Sequence, residues 1–185
     1  DWTENNPCYS LGGAVFGIYA QGGGELLWTV TTDTGGYGKL ENIPIGSYEV
    51  AEMESPQGFA ISEKRQKITV EENTVFQYKC VNRAQYHSPQ LVIKKADAET
   101  GESKPQGTAT LAGAEFEVRY YAGYHDKDPA SEGAAALRTW VLRTDEAGEI
   151  RLSDEYKVSG DEYYTNSEGQ TIFPLGTVTI RETKP

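Results

Sequence analysis

The stretch Leu11-Gly12-Gly13-Ala14-Val15-Phe16 decides the fold, because it returns later in the chain as Leu111-Ala112-Gly113-Ala114-Glu115-Phe116. A second block, Thr32-Asp33-Thr34-Gly35-Gly36, returns as Thr144-Asp145-Glu146-Ala147-Gly148. A third block follows in the same order, Ile43–Glu52 returning as Phe173–Glu182. Blocks repeated in a fixed order indicate tandem copies of one domain, an arrangement more typical of spacing, display or binding than of catalysis.

Length and composition agree with a tandem of small β domains. A chain of 185 residues accommodates two domains of roughly 90 residues each. Its 12 tyrosines and 20 glycines, together with many Thr and Val residues, are typical of an all-β protein. We expect the first copy at residues 1–84, a short semi-rigid linker at 85–90, and the second copy at 91–185.

Alternating or β-rich runs indicate the strands, and no stretch shows a helical period of any length. Predicted strands cover residues 14–19, 27–32, 48–52, 67–70, 75–82 and 91–95.

The charge excludes whole classes of partner. A net charge of −11 offers no basic stripe for nucleic acid or for an anionic membrane surface, and suits solubility in an extracellular setting. No apolar run reaches the roughly 18 residues that would span a bilayer. The chain begins without Met or a signal peptide, so we expect a fragment of a longer precursor.

Cys8 and Cys80 lie near the two ends of the first copy. A disulfide between them would staple this small domain and would imply an oxidising compartment. Two buried thiols are the alternative, which we favour less. The two histidines, His87 and His125, share no ligand spacing with the cysteines, so no metal site and no cofactor is predicted.

The second copy has two long connections, at residues 122–137 and 153–170, and long loops are often functional. Aromatic residues concentrate in and beside them, and tyrosine supplies contact area at low entropic cost. The candidate binding surface comprises Tyr120, Tyr124, Trp140, Tyr156, Tyr163 and Tyr164. The alternative is that these loops fold back over the domain's own sheet.

Lys95 and Glu182 are the residues that suggest chemistry. Strand alternation places Lys95 on the face of Leu91 and Ile93, and Glu182 on the face of Ile180. A charge in an apolar core is costly unless it is paired, so we expect the two to meet. Burial favours a neutral amine and a protonated carboxyl, and such an amine can displace ammonia from an asparagine side chain to form an isopeptide bond.

These motifs resemble the CnaB-type or SpaA-type prealbumin-like repeats of Gram-positive pilins and surface adhesins. The resemblance is carried by Lys95-Ala96-Asp97-Ala98-Glu99-Thr100-Gly101, by Leu111–Phe116 and by Pro174–Pro185. In the first copy, Tyr48–Phe59 resembles the segment around the family's catalytic glutamate. The resemblance implies that each copy is a seven-stranded antiparallel sandwich of immunoglobulin-like architecture.

By resemblance, Glu52 and Glu182 match the glutamate that promotes the cross-link, Lys95 its lysine, and Asn82 the asparagine of the last strand. Neither copy carries the complete set, and we expect the first strand of copy one and the last strand of copy two to be missing. Either flanking strands belong to the natural protein, which we favour, or another chain supplies a strand. We therefore predict no intramolecular isopeptide bond.

No phosphate loop, nucleophile elbow or paired-histidine motif supports an enzyme. We favour a structural stalk or adhesin module, extracellular and anchored to a cell wall through neighbouring domains of a parent protein. The alternative is a module that binds a matrix protein, a mucosal glycoprotein or an immunoglobulin through the tyrosine-rich loops. A third hypothesis is strand donation between subunits.

Overall fold

The computed structural model describes residues 1–22, 24–88, 91–102 and 110–185. These divide into two compact units, one formed by Pro7–Gln85 and the other by Asp1–Asn6 together with Tyr86–Pro185. Both units are built from antiparallel strands, and the helical element of the described part is a short 3-10 turn at Pro129–Glu132. The all-β prediction is confirmed.

The unit 7–85 has a four-stranded sheet in the order β2-β1-β3-β5. A separate two-stranded ladder joins β4 to β6. The strands are β1 (Val15–Ala20), β2 (Leu26–Thr31), β3 (Gly46–Glu54), β4 (Phe59–Ala60), β5 (Arg65–Val70) and β6 (Arg83–Ala84). Ile18, Tyr48, Val50 and Ile68 form the centre of its core, because alternation turns these positions inward from neighbouring strands.

The unit formed by 1–6 and 86–185 has a four-stranded sheet in the order β12-β10-β9-β15. Facing it is a second layer of short ladders, β11 with β8, and β13-β14-β7. Its strands are β7 (Tyr86–His87), β8 (Val92–Lys94), β9 (Glu115–Ala122), β10 (Arg138–Arg143), β11 (Glu149–Arg151), β12 (Lys157–Gly160), β13 (Tyr164–Thr165), β14 (Thr171–Pro174) and β15 (Gly176–Lys184). Core residues come from both layers, as the contacts among Val118, Leu142 and Ile150 illustrate.

A threonine clasp explains why two of the sequence blocks repeat together. Thr144 Oγ1 donates to the carbonyl of Leu111 at 2.7 Å and accepts the N–H of Ala114 at 2.9 Å. Thr32 makes the matching bonds, to the carbonyl of Leu11 and from the N–H of Ala14, both at 3.0 Å. The clasp ties the loop before the first sheet strand to the end of its neighbour.

The aspartate after each threonine closes a turn. Asp33 Oδ1 accepts the N–H groups of Gly35 and Tyr37 at 2.9 and 3.0 Å. Asp145 Oδ1 accepts those of Ala147 and Glu149, both at 2.9 Å. Asp is favoured in such turns because its short side chain bonds backbone N–H groups just ahead of it.

The unit boundaries differ from the predicted ones. Residues 1–6 pack with the second copy, and Tyr86–His87, expected in the linker, forms strand β7 against β14. Pro89 and Gln90, also expected in the linker, lie outside the described residues. The chain therefore passes between the units at two points, between residues 6 and 7 and between residues 85 and 86.

The strand predicted at 75–82 is wrong, since this segment carries no strand assignment. Its Val75, Phe76 and Val81 are exposed, and Tyr78 is held by an edge-on contact with the ring of Phe16 instead of by a ladder. In the described part of the chain, no neighbouring strand pairs with this segment. The contact between the two rings therefore fixes the Tyr78 side chain but leaves the backbone irregular. Among the described residues, no helix is long and apolar enough to cross a membrane.

Candidate functional site: two incomplete carboxylate pairs

The first pair joins Glu52 and Asn82 in the unit 7–85. Glu52 Oε2 accepts the side-chain N–H of Asn82 at 2.6 Å and the backbone N–H of Ser62 at 2.5 Å. A second N–H of the Asn82 amide donates to the carbonyl of Ala60 at 3.0 Å, which fixes the plane of that amide. Glu52 is only 6% exposed. The buried carboxylate therefore lies directly against the nitrogen that would leave in a cross-linking reaction.

The other oxygen of this carboxylate is uncompensated. Glu52 Oε1 is buried and accepts no hydrogen bond from any described residue. A buried acceptor without a partner is rare in folded proteins and carries a desolvation penalty. Within the described part of the chain no lysine or arginine forms an ion pair with Glu52, so the pair lacks a cation.

The second pair joins Lys95 and Glu182, which form a salt bridge through Nζ and Oε1. Lys95 directly follows β8 and Glu182 lies in β15, so the two come from the two layers of the sandwich. We expected both side chains inside the apolar core, and this is wrong: their side chains are 20% and 39% exposed. Glu182 is opposite Phe116 near the end of β15, where the sheet opens to solvent.

Each unit thus brings together two of the three residue types that the resemblance implies for a cross-link. The unit 7–85 brings together the glutamate and the asparagine, and the other unit brings together the lysine and a glutamate. In the described residues no asparagine side chain forms a hydrogen bond with Glu182. Asn166, in the same unit, is instead bonded to Tyr86 and Gln170. Both pairs can hold their groups in position, and neither can complete the reaction alone.

The aromatic residues predicted as a binding surface are mostly core residues. Tyr120 and Trp140 are each 1% exposed, so the prediction of a surface at these two positions is wrong. The Trp140 ring stacks on Tyr163 with centroids 5.6 Å apart and meets Phe173 edge-on at 5.8 Å. Tyr120 meets Tyr164 edge-on at 5.4 Å.

The long connections fold back over the sheet, which was the alternative expectation. Tyr156, Tyr163 and Tyr164 are partly buried against the core, and burial raises the pKa of Tyr163 to about 12, with Asp154 adding to the effect. Cations cover the outer faces, with Lys157 lying 4.8 Å from the Tyr163 ring centroid. Tyr156 donates to Asp145 Oδ2 at 3.2 Å. These rings contribute to stability, and of the six candidates Tyr124 alone is largely exposed, at 68%.

Cys8 and Cys80 both carry thiols, so the disulfide expected between them is not formed in the structure. Cys8 is buried at 2% exposure, and its backbone carbonyl lies so close to Gly58 that a Cβ there would be 2.4 Å away. Cys80 lies beside Tyr78, where burial chiefly, and the neighbouring thiol next, raise the pKa of the phenol.

Asn6 is a structurally important residue that the sequence did not reveal. It is 3% exposed, and its side-chain amide donates to the Tyr120 hydroxyl and to the carbonyl of Leu175, both at 2.9 Å. Its Oδ1 accepts the N–H of Gly123 at 3.3 Å. A single asparagine has no period or spacing, so no sequence pattern could have indicated this role.

Comparison with known families identifies the class of part of the chain. Residues 3–84 match the model of the SpaA family, described as a prealbumin-like fold domain. This confirms, for those residues, the resemblance inferred from the motifs. No curated protein sequence matches the chain.

Among solved structures, the chain is similar to the Bacillus anthracis TIE protein, with 24% identity and a TM-score of 0.53. The match covers 95% of this chain but only 29% of that one, so the chain spans less than a third of the length of its structural neighbour. At this identity the likeness supports the fold alone.

Proposed function

We propose that this chain is a structural module of a Gram-positive cell-wall-anchored surface protein or pilin, which holds other domains away from the cell. The observation that carries the proposal is the packing of the aromatic residues: Tyr120 and Trp140 are buried, and Tyr163 and Tyr164 are partly buried against the same core. The SpaA match over residues 3–84 supports the same class. Small sandwich domains with well-packed cores suit a tether because they unfold in one cooperative transition.

A binding assay tests the proposal. In a surface plasmon resonance assay, the whole chain is immobilised at one end. Fibrinogen, fibronectin, collagen, mucin and immunoglobulin G are then passed over it in turn. We expect no saturable binding up to about 10 μM, a concentration that corresponds to a binding free energy of roughly −7 kcal/mol. Saturable binding to any of these would contradict the stalk.

The exposed ring of Tyr124 favours a second function, binding of a host extracellular protein. Tyr124→Ser removes that ring, and Tyr37→Ser removes a tyrosine of the other unit that is even more exposed, as the matched control. Binding that is lost in the first variant and retained in the second would establish the second function in place of the first.

We further propose that the Glu52–Asn82 and Lys95–Glu182 pairs serve covalent cross-linking once the missing group is supplied. In that reaction the lysine nitrogen attacks Cγ of the asparagine side chain and a C–N bond forms. The amide nitrogen then leaves as ammonia, while the glutamate carries the proton between the two nitrogens. The hydrogen bond from Asn82 to Glu52 supports this role, because it places the carboxyl group at the leaving nitrogen.

A lysine-bearing peptide tests this chemistry. Leu91-Val92-Ile93-Lys94-Lys95 is the segment whose Lys95 pairs with Glu182, so a peptide of this sequence is incubated with the whole chain. A covalent adduct that maps to Asn82 and is lost in Glu52→Gln is expected. Recovery of unmodified chain and peptide after prolonged incubation at high peptide concentration would contradict the proposal.

A further inference from the structure

We propose that residues Asp1–Asn6 form an N-terminal strap that shields the unit 7–85 from tension applied along the chain. The inference rests on the proposed function, since shielding matters only in a molecule that is pulled. It follows from the division of the chain: residue 6 and residue 86 belong to the same unit, and everything between them forms the other.

The strap is fastened at two places. At its end, Asn6 is buried and bonded through both ends of its side-chain amide to Tyr120, Leu175 and Gly123. Near its start, Trp2 meets Tyr86 edge-on with centroids 5.9 Å apart. Tyr120 is itself 1% exposed and donates to the carbonyl of Leu175 at 3.0 Å, so the anchor is part of the core network.

Connectivity then determines the path of the load. Tension that enters at Asp1 reaches Asn6 and passes through its anchor into the unit that ends at Pro185. The segment Pro7–Gln85 is attached to that unit at both of its ends, so it lies outside the path while the strap holds. Once the strap detaches, tension runs through Pro7 and the unit 7–85 is loaded in series. The strap therefore sets an order of events, in which a local opening precedes unfolding of the inserted unit.

Single-molecule pulling on the whole chain tests the strap. Handles are fixed at Asp1 and Pro185, both in the wild type and in Asn6→Ala. In the wild type we expect an additional event before the unit 7–85 lengthens, and in Asn6→Ala we expect that event to be absent. Indistinguishable traces from the two chains would overturn the strap but leave the stalk proposal untouched.

A second readout isolates the anchor. Asn6→Ala is expected to raise the hydrogen-exchange rate of the Gly123 amide at least tenfold. Glu4→Ala, an exposed change in the same strap, is the control and is expected to change neither. An unchanged Gly123 rate in Asn6→Ala would also overturn the inference, and this readout does not depend on the mechanical behaviour of the domains.

Discussion

At the scale of single residues, the two threonine clasps offer an internal comparison. Thr144→Val removes the hydroxyl that bonds Leu111 and Ala114, at a position only 5% exposed, so we expect a loss of about 1–3 kcal/mol in unfolding free energy. Thr32→Val removes the same bonds nearer to solvent and should cost about 0.5–1 kcal/mol. Urea unfolding, followed by hydrogen exchange in β9 or β1, measures each unit. Equal losses at the two sites would show that burial does not govern the clasp.

The carboxylate of Asp145 predicts a pH dependence for its unit. The backbone N–H of Glu149 first, then that of Ala147 and the hydroxyl of Tyr156, hold the pKa of Asp145 below its ordinary value. A group with a depressed pKa in the folded state stabilises the fold at neutral pH, and this contribution is lost as the pH falls through that pKa. The stability difference between wild type and Asp145→Asn should therefore shrink below about pH 4.

Hydrogen exchange in β9 between pH 7 and pH 2, extrapolated to unfolding free energies, measures this difference, with Glu146→Gln in the same turn as the control. A difference that stays constant across this range, or that grows at low pH, would be inconsistent with the bonds to Asp145.

At the scale of elements, the glycine that begins β15 is packed more tightly than the glycine that begins β3. A Cβ at Gly176, which begins β15, would lie 2.4 Å from the Tyr121 carbonyl oxygen and 2.7 Å from the Tyr120 ring. At Gly46, which begins β3, the nearest atom would be the Tyr48 hydroxyl at 3.3 Å. We expect Gly176→Ala to destabilise its unit by about 1–3 kcal/mol through overpacking, and Gly46→Ala by less than about 1 kcal/mol. Thermal unfolding of the two variants checks the order, and a reversed order would show that β15 is not packed as described.

The positions of the paired residues predict the covalent state of the chain. Lys95 and Asn82 belong to different units, and each is bonded to its own glutamate. We therefore expect the intact mass to equal that of the unmodified sequence, with no ammonia lost. Mass spectrometry of the whole chain, followed by peptide mapping, measures this. A mass deficit of one ammonia, with a cross-linked peptide that contains Asn82, would contradict the prediction.

At the scale of the whole molecule, the repeat predicted the architecture because its blocks fall at sheet strands and their turns, which local sequence determines. Strand alternation in β9 places Tyr120 on the same face as Phe116 and the fully buried Val118, so the sequence did indicate that Tyr120 is buried. Its assignment to a binding surface came from composition, which does not distinguish a buried ring from an exposed one. The Asn6 anchor depends on residues more than a hundred positions away, so it could not be predicted from local pattern.

The central claim is that Trp140, Tyr163 and Tyr164 of the second copy pack against its core and are not displayed on the surface. Hydroxyl-radical footprinting of the whole chain tests it, because the rate of oxidation of a ring reports its contact with water. We predict fast labelling of Tyr37 and Tyr124, and labelling of Trp140, Tyr163 and Tyr164 that is slowed at least tenfold relative to the urea-unfolded chain. Labelling of Trp140, Tyr163 and Tyr164 as fast as that of Tyr124 would contradict the claim and restore the loops as a candidate binding surface.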